Sequence, residues 1–318
     1  MSFKDALDLA RASILAALFF LLGGLVPVLG AGVMLCAPAP ILIYALARPR
    51  PYLRLAICLI ITLSLSGLVA GPIQAVGFAV SLGVATVLIA ATVRRQWSFE
   101  SIVFAGTAAI LVAVTGVLLL WAGSPAALLA QIQHSVSVAM SHSAALYEKM
   151  GMSRAESKQV GEMVLKITAQ LSPAMAAIVA GTTVLANLGL VSRWLGNEKL
   201  GYQVFGALVT WRTPEWLIWL LLATGFGIFI PQQAARTAAL NGFVVMAAIY
   251  FCQGLAIMAY YLPMLASSRI VRGAIYVIAL LQPVVAGLIC LAGVFDMWID
   301  FRRLKPPGRE AGSIDDFF

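Results

Sequence analysis

Between Arg11 and Arg48 the chain contains no charged side chain. As one helix rising 1.5 Å per residue that run would be about 54 Å long, far more than the ~30 Å hydrocarbon core of a bilayer. Pro27, Gly30, Gly32, Pro38 and Pro40 mark where its backbone turns or kinks. The run therefore divides into a first span at about 12–29 and a short second span at about 32–47. Composition agrees: 62% of residues are apolar and 11% charged, and mean hydropathy is +0.97, whereas a soluble domain carries about 25% charge. The expected fold is all-α, a polytopic transmembrane helix bundle of eight to nine spans with one external amphipathic helical insert.

Apolar segments and punctuation continue along the chain. Arg48, Arg50 and Arg54, interleaved with Pro49 and Pro51, close a first hairpin, and Arg94 and Arg95 close a second. Its spans lie at about 55–71 and 74–93, joined at Gly71-Pro72-Ile73. Gly67 and Gly71 form a GxxxG pair suited to close helix packing. A fifth span, about 101–123, ends at Trp121 and a Gly-Ser-Pro turn. Residues 124–172 are the long polar stretch. In it Ala127, Leu129, Ile132, Val136 and Met140 recur at helical spacing among Gln131, Gln133, His134, Ser135 and Ser137, the pattern of a helix lying on the membrane face. Ser153 and Glu156 mark a capped helix start. Further segments follow at about 173–195, 214–230, 241–264 and 273–297. The expected organisation is a membrane half at 1–123, the external insert at 124–172, a second membrane half at 173–300 and a polar tail at 301–318.

The net charge of +8 sits in loops and the tail, as the retention of Lys and Arg on the cytoplasmic side requires. The bilayer is thus the expected partner, and nucleic acid is not. The first apolar run is too long for a cleaved signal. The expectation is a multi-pass protein of the bacterial inner (cytoplasmic) membrane with its N-terminus inside. Nine spans would put Arg302, Arg303, Lys305 and Arg309 outside. A re-entrant 214–230 segment places more of the basic residues inside but leaves Arg269 and Arg272 outside, so charge leaves eight and nine spans both open.

Polar groups at membrane depth need a partner or a job, because an unpaired one costs several kcal/mol. Gln253, beside Gly254, and Gln282, before Pro283, fall near the middle of their segments; with Asn187 they are the candidate ligand-binding residues. Interhelical hydrogen bonding is the competing role for these amides. Asn241 is placed to cap its helix. Asp296, Asp300 and Arg303 fall on one helix face at i, i+4 and i+7, with the carboxylates expected to pair with Arg303 or Arg212, either as anchors or as a gating ion pair. His134 and His142, about 12 Å apart on a helix, are too distant to share a metal. The four cysteines lie in apolar runs with no CxxC spacing, so neither a disulfide framework nor a metal site is expected.

Catalytic templates are missing from the sequence. It has no GxxxxGK[ST] phosphate loop, no HExxH, no GxSxG and no close pair of intramembrane carboxylates. The expectation is no enzyme and no cofactor. The carboxylates stand at segment ends or in the polar stretch, which disfavours proton-coupled transport.

Three motifs carry a resemblance: Trp211-Arg212-Thr213-Pro214, then Asn241 twelve residues before Gln253-Gly254, then Phe295-Asp296-Met297-Trp298-Ile299-Asp300-Phe301-Arg302. In their order and spacing the chain resembles the YybS-like family of bacterial polytopic membrane proteins from about residue 170 onward. That family is distantly similar to the substrate-binding membrane subunits of energy-coupling-factor vitamin transporters and to the cell-shape protein MreD. The resemblance implies one of two roles. One is a small-molecule-binding membrane subunit served by separate ATPase subunits; the other is a non-catalytic scaffold or assembly partner of cell-envelope machinery.

Overall fold

The computed structural model describes residues 3–25, 29–124, 126–128, 130, 131, 133, 134, 137, 138, 153–196, 209–265 and 268–303. Regular structure among them is helical throughout, and the chain divides into two compact units, Met1–Val204 and Phe205–Phe318. Within the amphipathic stretch Leu129, Ile132, Ser135, Val136, Met140 and His142 lie outside the described residues.

The first unit contains α1 (Phe3–Leu25), α2 (Leu29–Leu35), α3 (Pro38–Leu46), α4 (Pro51–Ala70), α5 (Pro72–Phe78), a π turn at Ala79–Gly83, α6 (Val84–Arg94), α7 (Phe99–Ala122) and α8 (Arg154–Leu195). Three of the prolines that punctuate the sequence open helices: Pro38, Pro51 and Pro72 each stand in the first turn of α3, α4 and α5. There the missing N–H costs nothing, since no partner for it exists within the helix. Gly71 turns the chain from α4 into α5 at φ 94, and its N–H donates to Gly67 O at 3.0 Å. A Cβ on Gly67 would sit 3.4 Å from that of Ala75. The Gly67/Gly71 pair therefore builds a tight hairpin. Helix α8 starts from a capping box, Ser153 Oγ accepting from Glu156 N at 3.3 Å while Ser153 N donates to Glu156 Oε2 at 2.8 Å. These bonds hold the Glu156 carboxyl below the usual carboxylate range. The helix continues through Pro173 to Leu195.

Packing in this unit relies on small residues and on hydroxyls that bond their own helix. Phe20 of α1 meets Phe78 edge-on at 5.1 Å, and a Cβ on Gly106 of α7 would lie 2.8 Å from Val184 of α8. Ser13, Thr62, Thr86 and Thr183 are buried, yet each donates to the carbonyl four residues back, at 3.0, 2.8, 2.6 and 2.8 Å. A hydroxyl disposed of in this way is compatible with an apolar surrounding.

The second unit contains α9 (Leu217–Gly227), α10 (Gln233–Leu265), α11 (Arg269–Leu281) and α12 (Pro283–Ile299). Helices α9 and α10 run antiparallel, with Gly225 against Phe243 and Gly227 against Ala239. Helices α10 and α12 run in the same sense: Cys290 Sγ donates to Ala247 O at 3.3 Å, Gln253 bonds Asp296, and Tyr261 OH bonds Phe301 O. Their approach is very close. A Cβ on Gly254 would fall 2.0 Å from Ile289 O, and one on Gly293 2.0 Å from Tyr250 O.

Among the described residues six helical segments are long and apolar enough to cross a membrane, or seven if the bent pair α11–α12 is one span, and two shorter apolar helices, Gly30–Leu46 and Leu217–Gly227, accompany them. These correspond in order to the apolar segments marked in the sequence. The figure of nine includes both shorter helices, and the figure of eight leaves out Leu217–Gly227 as a re-entrant segment. The last segment differs in shape, because α11 and α12 meet at 96°. Gln282 between them has φ −97 and ψ 109, the extended backbone that a following proline favours.

Gly293→Ala sets a Cβ against a backbone carbonyl that cannot swing aside. It should lower the thermal unfolding temperature in detergent micelles, as overpacking costs about 1–3 kcal/mol or more. Gly287→Ala on the same helix meets nothing within 4 Å and should leave it unchanged or raise it.

Candidate functional site

The buried polar groups of the second unit converge at the C-terminal end of α12. Asp300 adopts a left-handed conformation, φ 46, and stops the helix at Ile299. The chain then turns, Arg303 N donating to Asp300 O at 2.9 Å, and Arg302 folds back over the helix end. Its Nη2 lies 2.7 Å from Asp296 Oδ2, with both side chains fully buried. The other carboxylate oxygen, Oδ1, accepts from Phe301 N at 3.1 Å.

Arg302 also holds an irregular segment in place. Residues 211–214 are not helical, so their backbone groups need other partners. Arg302 Nη1 donates to Val209 O at 2.6 Å and Nη2 to Trp211 O at 2.9 Å. Gln253 completes the set from α10: its Oε1 accepts from Thr213 N at 3.1 Å and from Thr213 Oγ1, and its Nε2 donates to Asp296 Oδ2 at 3.1 Å. Arg212 forms an ion pair with Asp300. Both Gln253 and Asp296 have partners on each of their polar side-chain atoms. The cluster ties α10, α12 and residues 209–213 together.

A second polar cluster belongs to the first unit, where α1, α3 and α4 end side by side. Asp5 accepts from Tyr44 OH at 3.1 Å and pairs with Arg48 Nε at 3.3 Å and Arg54 Nη2 at 3.0 Å. Asp8 pairs with Arg48 Nη2 at 2.6 Å. The Arg48 guanidinium lies 4.4 Å from the Tyr44 ring centroid, within cation–π range. A cleft of about 350 Å³ opens here, lined by Lys4, Asp5, Asp8, Arg48, Pro49 and Arg54.

Over residues 14–297 the chain matches the family described as "Predicted membrane protein (DUF2232)". It belongs to that family. No curated protein and no solved structure matches it. The DUF2232 match takes in Asn187, Thr213, Gln253 and Asp296, and ends before Arg302.

In this DUF2232 protein the polar residues singled out from sequence are distributed as follows. Gln253 is buried in the cluster, whereas Gln282 is exposed at the opposite end of α12, where its N–H donates to Ile278 O at 2.9 Å and its carbonyl accepts from Ala286 N at 2.9 Å. Asn187 is buried on α8 in the first unit, and its Nδ2 donates to Leu35 O at 2.8 Å and Thr183 O at 2.7 Å. The reason lies in the break between α2 and α3: Ala39 N bonds Cys36 O, which leaves the Leu35 carbonyl for Asn187. Asn241 is an interior residue of α10, its Nδ2 donating to Thr237 O at 2.8 Å. It does not cap the helix, because helical structure begins already at Gln233. The shared face expected for Asp296, Asp300 and Arg303 is interrupted by the turn at Asp300. Arg303 is exposed, and Arg302 is the residue that pairs with Asp296. His134 is exposed.

Arg302 and Thr213 were not singled out by spacing alone. Thr213 stands in Trp211-Arg212-Thr213-Pro214 and Arg302 closes the run Phe295-Asp296-Met297-Trp298-Ile299-Asp300-Phe301-Arg302, and those motifs are the signal the sequence offers for them.

Asp296→Leu would leave Arg302 buried without its counter-charge and should cost about 3–5 kcal/mol. Adding Arg302→Met should restore only part of this, since Val209 O and Trp211 O lose their donor, at about 1–3 kcal/mol per buried group. Chemical unfolding of the two variants checks this; full recovery in the double variant would reduce the cluster to a simple ion pair. A second expectation concerns sidedness. Residues 209–213 and 300–302 are bonded together, so the flanking positions should face one side of the membrane. In a cysteine-free background, Glu215→Cys and Arg303→Cys should react with an impermeant thiol reagent from the same side. Opposite reactivity would place the cluster within the membrane rather than at its edge.

Proposed function

We propose that the protein is a non-catalytic membrane scaffold, an assembly partner of cell-envelope machinery in the bacterial inner membrane, with its N-terminus on the cytoplasmic side. The observation that carries this reading is that every polar side-chain atom of Gln253 and Asp296 has a protein partner. The amide and carboxylate that a ligand or a proton would use are bonded to Thr213, Arg302, Phe301 and each other. A general base or proton carrier needs a lone pair it can offer, and the Asp296 carboxylate already receives three donors, two on Oδ2 and one on Oδ1. Asn187 spends its amide N–H donors on the backbone of its neighbours, while its buried Oδ1 has no hydrogen-bond partner among the described residues. Polar groups committed to holding helices together suit a rigid body on which other membrane proteins assemble. The distant likeness of the YybS-like family to MreD points the same way.

The likeness to energy-coupling-factor subunits supports the other role, capture of a small molecule for separate ATPase subunits. Purification of the full-length protein from its own membranes in a mild detergent separates the two. A scaffold should copurify in fixed stoichiometry with envelope proteins that hydrolyse no ATP, and Gln253→Leu should lower its stability whether or not small molecules are added. Copurified ATPase subunits, together with a ligand-dependent stabilisation that Gln253→Leu abolishes, would overturn the scaffold reading.

A further inference from the structure

The cleft of the first unit differs in charge balance from the cluster of the second, where Arg212 and Arg302 match Asp300 and Asp296 one to one. Its two carboxylates are committed: Asp5 serves Tyr44, Arg48 and Arg54, and Asp8 serves Arg48. Cationic donors are left over. The lining carries three cations, Lys4, Arg48 and Arg54, against the two carboxylates Asp5 and Asp8. Arg54 Nη1 is buried with no hydrogen-bond partner, and Lys4 is exposed at the rim. Helix α4 begins beside the cleft at Pro51, and no side chain caps its first turn, so the positive end of its dipole adds to the same field. A metal ion is disfavoured here, because both carboxylates already face guanidinium groups. The complementary ligand is an anion rich in acceptors.

Depth selects which anion. Helices α1 and α4 are both long and apolar enough to cross the membrane, and both begin at this cleft. The cleft thus lies at the level where the apolar core gives way to headgroups. Phe3 and Leu7 on α1 and Tyr52 and Leu53 on α4 are exposed next to it, an apolar flank of the kind that acyl chains cover. We propose that this cleft binds a phosphate group, carried by an anionic phospholipid whose headgroup enters between Lys4, Arg48 and Arg54. Guanidinium groups match phosphate oxygens in pairs, and the lysine supplies a mobile third donor. The proposal is independent of the scaffold reading.

The test uses the full-length protein in a neutral detergent, with thermal unfolding followed as short-chain phosphatidylglycerol, monoolein or inorganic phosphate is added. Phosphatidylglycerol should raise the unfolding temperature saturably and monoolein should not. Lys4→Gln, which removes no ion pair of the cluster, should weaken the apparent affinity roughly fivefold, the contribution of one basic residue at an anionic surface; Lys4→Arg should retain it. Arg269→Gln, remote in sequence and also exposed, controls for general attraction to a basic protein and should have no effect. If inorganic phosphate reproduces the shift with the same dependence on Lys4, the phosphate site stands and its source is soluble. An equal response to monoolein, or equal weakening by Arg269→Gln and Lys4→Gln, would overturn it.

Discussion

A backbone amide or carbonyl without a partner in hydrocarbon costs several kcal/mol, and this cost organises the whole molecule. Unbroken helix meets it residue by residue. The informative places are those where helix is interrupted, because there a side chain must do what the next turn would have done. Between α2 and α3 the Leu35 carbonyl loses its helical donor and Asn187 supplies one. Before α9 the helix end at Val209 and the non-helical stretch after Thr210 leave carbonyls at Val209 and Trp211 and an N–H at Thr213, and Arg302 and Gln253 satisfy them. The buried polar residues at these breaks answer backbone demands that their own locations create.

Close helix packing makes those answers geometrically available. Gly254 and Gly293 let α10 and α12 approach until a single added carbon on either would collide with the opposite backbone. Gln253 and Asp296 are the neighbours of that contact in sequence, at one and three residues' distance. Their 3.1 Å hydrogen bond therefore follows from the glycine contact. A wider helix separation would leave a buried amide and a buried carboxylate facing each other across a gap, each bearing its own desolvation cost.

This division explains what could be read from the amino-acid sequence. The apolar segments, the basic turns and the helix starts at Ser153 and at the prolines are local, since each depends on residues within one or two turns. The pairings are not. Asp296 reaches Gln253 across 43 positions and Arg302 reaches Val209 across 93, and no periodicity records such separations. Periodicity in fact misleads at the end of α12: extended past Ile299 it favours Arg303, whereas the left-handed turn at Asp300 carries Arg302 inward. The bend at Gln282 was also hidden, because a proline within an apolar run is compatible with a kinked span and with a right-angled break alike.

A buried ion pair alone is weak evidence for stability, because well-packed hydrocarbon of similar volume often serves as well. Asp296 and Arg302 are not such a pair. The guanidinium fork meets a carboxylate and two carbonyls from a different segment at once, and hydrocarbon in its place would leave those carbonyls without donors. Lysine would not serve either, since its single nitrogen cannot present a planar fork. The arginine at this position is thus dictated by the helix end at Val209 and the irregular backbone that follows it. That backbone is in turn tolerable at all only because the end of α12 folds back to reach it.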